Sequence, residues 1–296
     1  MKLLAKFNLV LIGVCSAGLG IAGYLSYSIL QKNAREEVVQ HAGMMMEAAL
    51  AIRSYTVKEI RPLLTLQMTR EFLPQTVPAY AATQSFDKLR KNHPEYSYKE
   101  ATLNPTNPRD RATDWETDIV ETFRNNPEQS QIINERNTPT GKALFLARPI
   151  SIKNAGCLTC HSNVQAAPKT MLAKYGDANG FGWKMNEIVG AQIVTVPMTY
   201  PIEKARHAFI TFMGSLSGIF LFIIIVLNIM LRAIVIRPVT RMAQISDQIS
   251  MGNMDADEFK ETGNDEISVL GAAFNRMRRS LGKAMNMLED QETKLL

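Results

Sequence analysis

Two long apolar runs frame the chain. No charged side chain occurs from Asn8 to Leu30 or from Ala208 to Leu231, where Gly218–Leu231 reads GIFLFIIIVLNIML. At ~1.5 Å per residue, each run crosses the roughly 30 Å hydrocarbon layer as a helix. The first also contains Cys15-Ser-Ala-Gly18, which superficially resembles a lipoprotein site. It exceeds the ~7–15 apolar residues of a signal core, so we read it as an uncleaved anchor. The expected layout is a tail over 1–7, spans over 8–30 and 208–231, an external segment over 32–207 and an internal segment over 232–296.

The external segment opens with a helix-favouring stretch from Asn33 to about Arg61, poor in Gly and free of Pro. It should extend the first span as one rod and stop before Pro62. Pro74 and Pro78 mark a turn-rich region, Tyr80–Lys91 reads as a helix, and Tyr96–Leu103 as extended. Asn104-Pro-Thr-Asn-Pro108 is a loop, since two prolines bar a helix there. Trp115, Ile119 and Phe123 place a helix over Asp114–Asn125. Lys142–Ile152 and the β-branched Gly190–Met198 read as strands. Helices first and strands later, with a motif-bearing loop between the last two, indicate an α+β domain of PAS-like type.

Beyond the second span the period changes. Val235, Pro238, Met242, Ile245 and Ile249 are spaced 3-4-3-4, and so are Ile267, Leu270, Phe274, Met277, Leu281, Ala284 and Leu288. Two such seams, joined by a connector containing Gly252 and Gly263, describe two parallel helices per chain. A dimer of them makes a four-helix bundle, although a simple αα-hairpin shares the spacing. Residues 285–296 read as continuing the coil toward a partner, being too few for a kinase, a cyclase or a methyl-accepting tip.

Composition narrows the class. The chain has 296 residues, 46% hydrophobic and 21% charged, which excludes a disordered or disulfide-dense protein. Its net charge of +5 is spread out, with no basic stripe interleaved with aromatics, so no nucleic-acid partner is expected. Lys2 and Lys6 precede the first span, and Arg232, Arg237 and Arg241 follow the second, placing both ends in the cytoplasm. Lys32, Arg35, Lys204 and Arg206 lie on the other side and weaken that bias.

The chemistry concentrates in Cys157-Leu-Thr-Cys160-His161. C-x-x-C-H is the pattern of c-type haem attachment: two thiols add to the two vinyl groups, and the adjacent imidazole ligates the iron. Zinc would need two more ligands nearby, and a thioredoxin-like site would need a βαβ context. The pattern also orients the protein, because haem c is assembled outside the cytoplasmic membrane; the external segment is then periplasmic, in a bacterial inner membrane. Cys15 reads as inert packing within the first span. For the sixth iron position, His41, Met44, Met45 and Met46 cluster on the long helix, and His93 lies before Pro94. Adjacent residues diverge by about 100° on a helix, so the three methionines cannot share one site. Met45 or Met46 is preferred over His41, with a position open to a gas as the alternative. Arg53, Arg109, Arg111 and Arg148 are candidates to pair with haem propionates, Arg53 and Arg148 foremost.

Several stretches resemble the PAS-like c-type haem sensor domain of bacterial membrane transducers. They are Ala51-Ile-Arg-Ser-Tyr-Thr56 with Pro62-Leu-Leu64, Val77-Pro-Ala79, Tyr98–Pro108, Trp115-Glu116, Ala147-Arg-Pro149, the cysteine motif, Gly180-Phe-Gly-Trp183 and Gly190-Ala191. The resemblance implies a small antiparallel sheet with a long N-terminal helix lying across one covalent haem c. In a soluble relative a cysteine on that helix is the distal ligand, and no cysteine stands on it here outside the span. Pro238 after a span, Asp265-Glu266-Ile267 and Ala273-Phe-Asn275 make residues 232–284 similar to the HAMP relay module, which is homodimeric. The expected function is a non-enzymatic, homodimeric membrane sensor of redox state or of a small gas, signalling to a kinase, cyclase or chemoreceptor-like partner. The alternative is a membrane-anchored monohaem electron-transfer cytochrome, which would leave the heptad seams without a purpose.

Overall fold

The computed structural model describes residues 3–139, 141–253, 256–259, 263 and 265–295, with side-chain surroundings up to 287. Lys2 and the side chain of the seam position Leu288 lie outside the described residues. The chain divides into two compact units, Ser26–Phe209 and Met1–Leu25 with Ile210–Leu296.

Helix α1 runs over Leu3–Tyr55, taking in the first apolar run and the rod expected to follow it. The rod does not stop before Pro62. A π-helical turn, Thr56–Ile60, leads into α2 (Arg61–Leu63), with Pro62 in its first turn, and α3 (Thr65–Met68) follows. Proline lacks an N–H and its ring collides with the carbonyl four residues back, and a widened turn accommodates both.

Helix α4 (Pro78–Leu89) begins at its proline, two residues earlier than the pattern suggests, because proline's fixed φ suits a first helical position. Strand β1 (Ser97–Thr102) and helix α5 (Asp114–Asn125) fall where the sequence places them. At the start of α5 the Glu116 carboxylate accepts the Thr113 backbone N–H at 2.8 Å. Strand β2 (Ile132–Thr138) was not expected: it is polar after Ile133 and forms an edge of the sheet. Strand β3 (Gly141–Ser151) follows it. Two short helices, α6 (Ala155–His161) and α7 (Lys169–Tyr175), then precede β4 (Ile188–Pro197).

The four strands form an antiparallel sheet in the order β1-β4-β3-β2. One face packs against α1. Val38, Ala42, Met46 and Ala49 are fully buried there with Leu144, Val194 and Val196. The other face packs against α5 through Ile119, Val120 and Phe123, which meet Phe145 and Ile193. Each buried Val, Leu or Phe contributes ~1.5–3 kcal/mol, so the sheet is clamped from both sides. The fold is α+β, as the pattern of elements indicated.

Met198 alone separates β4 from α8 (Thr199–Met230), which carries the second apolar run. A second π-helical turn, Leu231–Ile236, precedes Pro238 and α9 (Arg237–Ser250). Helices Leu3–Leu63 and Thr199–Ser250 are each long and apolar enough to cross a membrane. Between the apolar runs, Asn8 and Asn228 exchange amide hydrogen bonds of 2.9 and 2.7 Å. After α9, Ile245, Ile249 and Ala256 pack with Phe274 of α10 (Glu266–Leu295). Asn275 donates to the Phe259 carbonyl at 2.8 Å and accepts the Phe259 N–H at 3.1 Å, holding the connector against α10.

Candidate functional site

The cysteine motif does not sit on a loop as expected. It forms helix α6, started by the Asn154 side chain, which accepts the Gly156 N–H at 2.8 Å. Three-residue spacing on a helix turns Cys157 and Cys160 to one face. Both carry free thiols and border a cavity of about 300 Å³ together with His161. Burial beside Phe72, Ala167 and Met171 raises the Cys160 thiol pKa above its ordinary value.

His161 is held on two sides. Its Nδ1 lies 2.7 Å from the Gly180 carbonyl, and its ring stacks on Trp183 at 4.0 Å between centroids and 14° between planes. A carbonyl can only accept, so Nδ1 carries the proton and the Nε2 lone pair stays available. Burial lowers the His161 pKa, partly offset by the Gly180 carbonyl, which keeps the imidazole neutral. The Gly-Phe-Gly-Trp segment also caps α6. Gly182 and Trp183 donate backbone N–H groups to the Ser162 and His161 carbonyls at 3.0 and 3.1 Å.

The Asn-Pro-Thr-Asn-Pro loop holds that segment in turn. Asn104 accepts the Gly180 N–H at 3.2 Å and donates to the Phe181 carbonyl at 3.4 Å. Gly180 has φ +88°, and a Cβ on it would collide with Thr106. Only glycine therefore presents this carbonyl to His161.

On the α1 side the cavity is bordered by Arg53, Val57 and Arg61. Arg53 is ion-paired with the buried Glu100, which accepts the Tyr98 hydroxyl at 2.7 Å; Gln192 donates to Tyr98 at 3.2 Å. Burial opposes the Arg53 charge, yet Glu100 and Tyr98 together with the other neighbours outweigh it and raise the guanidinium pKa. Burial, reinforced by Glu100, likewise drives the Tyr98 phenol far above its usual value, so it stays a donor.

The other expected site residues lie elsewhere. Met46 is fully buried in the core against the sheet, and Met45 packs on the same cluster. Neither they nor the half-buried His41 borders the cavity, and Met44 is 63% exposed. His93 is exposed beside Glu95. Arg148 bonds Glu47 at 2.7 Å outside the cavity, Arg111 reaches Asn179 at 3.4 Å, and Arg109, which does border the cavity, bonds Asp110 at 3.1 Å. The thioethers at the cavity are Met171 and Met68, whose sulfur lies 3.2 Å from the Thr76 hydroxyl, itself bonded to the Leu73 carbonyl at 2.7 Å.

Roles for Glu100, Tyr98, Gly180 and Trp183 were not read from the sequence. Tyr98 and Glu100 alternate onto one face of β1, which hinted at a buried carboxylate, but nothing local pointed to Arg53 as its partner. Cysteines on one helical face, a neutral imidazole with a free Nε2, an apolar wall and cations at the rim fit a covalently held haem. Among the described residues no cluster of three His, Cys, Asp or Glu is arranged for a bare metal ion.

Comparison with known proteins adds two matches. Residues 31–197 match the Tll0287-like family, described as Tll0287, and residues 230–283 match the HAMP domain. No curated protein matches. Among solved structures, the crystal structure of the cyanobacterial heme-protein Tll0287 is similar at 17% identity, covering 54% of this chain and 95% of that one with a TM-score of 0.42.

Proposed function

We propose, on the premise that this chain belongs to the Tll0287-like family and carries a HAMP domain after it, that it is a two-span haem-c sensor of the bacterial inner membrane. Residues 32–207 would be periplasmic and both ends cytoplasmic. HAMP, at 232–284, would relay the signal within a homodimer to a cytoplasmic partner. The observation that carries this reading is His161, fixed through Nδ1 and Trp183 with Nε2 left to donate, one residue from a cysteine pair on one helical face.

Cys157 and Cys160 would each add S–H across one vinyl group: sulfur bonds one carbon and the proton goes to the other. His161 Nε2 would bind the iron, the ring being oriented through Nδ1 by the Gly180 carbonyl. Arg53 would face a propionate while keeping Glu100 as its buried counter-charge. Haem c bound there supplies an iron centre that can change redox state or take up a diatomic gas. Arg53 and Val57 on the nearby helix face offer iron no lone pair, and the thioethers that border the cavity are Met68 and Met171. We read the iron as keeping one position open to an external ligand.

Coupling to the membrane has two routes. Helix α1 carries Arg53 at one end and the first apolar run at the other, while Met198 alone joins β4 to α8. A ligand shifts the relay only through its different affinity for two states.

The test is a pyridine haemochrome spectrum and peptide mass analysis of the full chain from a strain that matures c-type cytochromes. We expect a thioether-type spectrum, with haem mass on the peptide spanning 157–161, and loss of both in Cys157→Ala/Cys160→Ala. Colourless, correctly exported protein whose two thiols alkylate would overturn the reading. Ferrous protein whose spectrum ignores carbon monoxide and nitric oxide would overturn the open position.

A further inference from the structure

A second cavity, of about 540 Å³, lies in the Ser26–Phe209 unit on the α5 side of the sheet, beyond that helix's first turn. Its volume is that of a small-molecule site, roughly 300–1,000 Å³. The space exists because neighbouring strands place short side chains there: Ser97 pairs with Thr195, and Ala143 lies opposite Pro197. Ile193 and Trp115 add apolar wall.

Its charges are distinctive. Lys99 is paired with Glu116 at 2.6 Å, Arg109 with Asp110 at 3.1 Å, and Lys142 with Glu135 at 2.6 Å. Two lining cations remain, Arg90 and Arg136, and neither has a carboxylate within ion-pair distance among the described residues. Arg136 is fixed nonetheless, its guanidinium lying 3.8 Å from the Trp115 ring centroid. A guanidinium held by its face keeps its edge N–H groups for a planar acceptor. Asp87 and Glu95 on the same lining would repel a dianion such as a phosphate ester.

We propose that this cleft binds a small organic monocarboxylate, with the carboxylate on Arg136 and the apolar body against Ile193 and Ala143. The site does not rest on the haem reading. It would give the protein a second, metabolite-responsive input on the sheet that leads through β4 into α8.

Saturation-transfer NMR on the full chain in nanodiscs tests this, with acetate, lactate, pyruvate and benzoate as probes and benzamide as the neutral control. We expect saturable binding of at least one carboxylate and none of benzamide. Affinity should fall about tenfold or more in Arg136→Gln, roughly 1.4 kcal/mol, and less in Arg90→Gln. Both variants should melt with the parent. If Arg136→Gln melts early, a carboxylate bound by Arg90→Gln at full parental strength and matched by benzamide would count against the cleft. No saturable carboxylate, equal binding in Arg136→Gln, or equal binding of benzamide would overturn the proposal.

Discussion

Arg53 and Glu100 show how one ion pair ties the cavity to the rest of the domain. The carboxylate is 5% exposed and the guanidinium 24%, so each relies on the other for the solvation that burial removes. Tyr98 and Gln192 extend the chain of bonds into β4. Removing one partner of a buried pair costs about 3–5 kcal/mol because the other charge is stranded, while replacing both with apolar groups is far milder. Thus Arg53→Met and Glu100→Leu should each lower the melting temperature of the full chain, followed by circular dichroism, and the double variant should regain most of the loss. Strictly additive losses would show that the two side chains act separately. Gly180 makes a second residue-scale point. Its left-handed backbone presents a carbonyl to His161, so on the proposed haem reading Gly180→Ala should change the visible spectrum of matured protein. A spectrum identical to the parent's would separate the turn from the site.

The same tripeptide stands at both π-helical turns. Ile60-Arg61-Pro62 starts on the last residue of the π-helical turn Thr56–Ile60, and Ile236-Arg237-Pro238 on the last residue of Leu231–Ile236. The rule that proline ends a helix fails here because the widened turn removes the ring's collision and moves the carbonyls onto donors one residue further along, so the N–H that proline lacks is not needed. Pro62→Ala should let the turn tighten to α geometry. Slower amide exchange over Thr56–Ile60 would show it, and unchanged exchange would remove the proline as cause. Strand β2 and helices α6 and α7 escaped sequence reading for another reason. Seven-residue elements show too little periodicity, and Asn134–Asn137 of an edge strand is polar. Asn154, an N-cap residue just before the motif, was the local clue to α6.

On the scale of the whole molecule, α10 leaves much of its seam uncovered in one chain. Leu270 is 51% exposed, Met277 61% and Leu281 44%, whereas Phe274 packs against the α9 side. A dimer of chains would cover that stripe, so Leu270→Glu/Leu281→Glu should shift detergent-solubilised protein from dimer to monomer in sedimentation. A dimer as tight as the parent's would place the interface elsewhere. The apolar runs, the helix over Asp114–Asn125, the heptad seams and the C-x-x-C-H pentapeptide were all legible in the sequence, because each is written in neighbouring residues or in a local period. Tertiary structure alone decided what surrounds His161. Arg53, Glu100, Thr106 and the Gly180–Trp183 segment come from separate parts of the chain, and no local spacing records which of them meet. It also moved Met45 and Met46 away from the cavity, since the face of α1 that covers the sheet is chosen by packing against Leu144 and Val194.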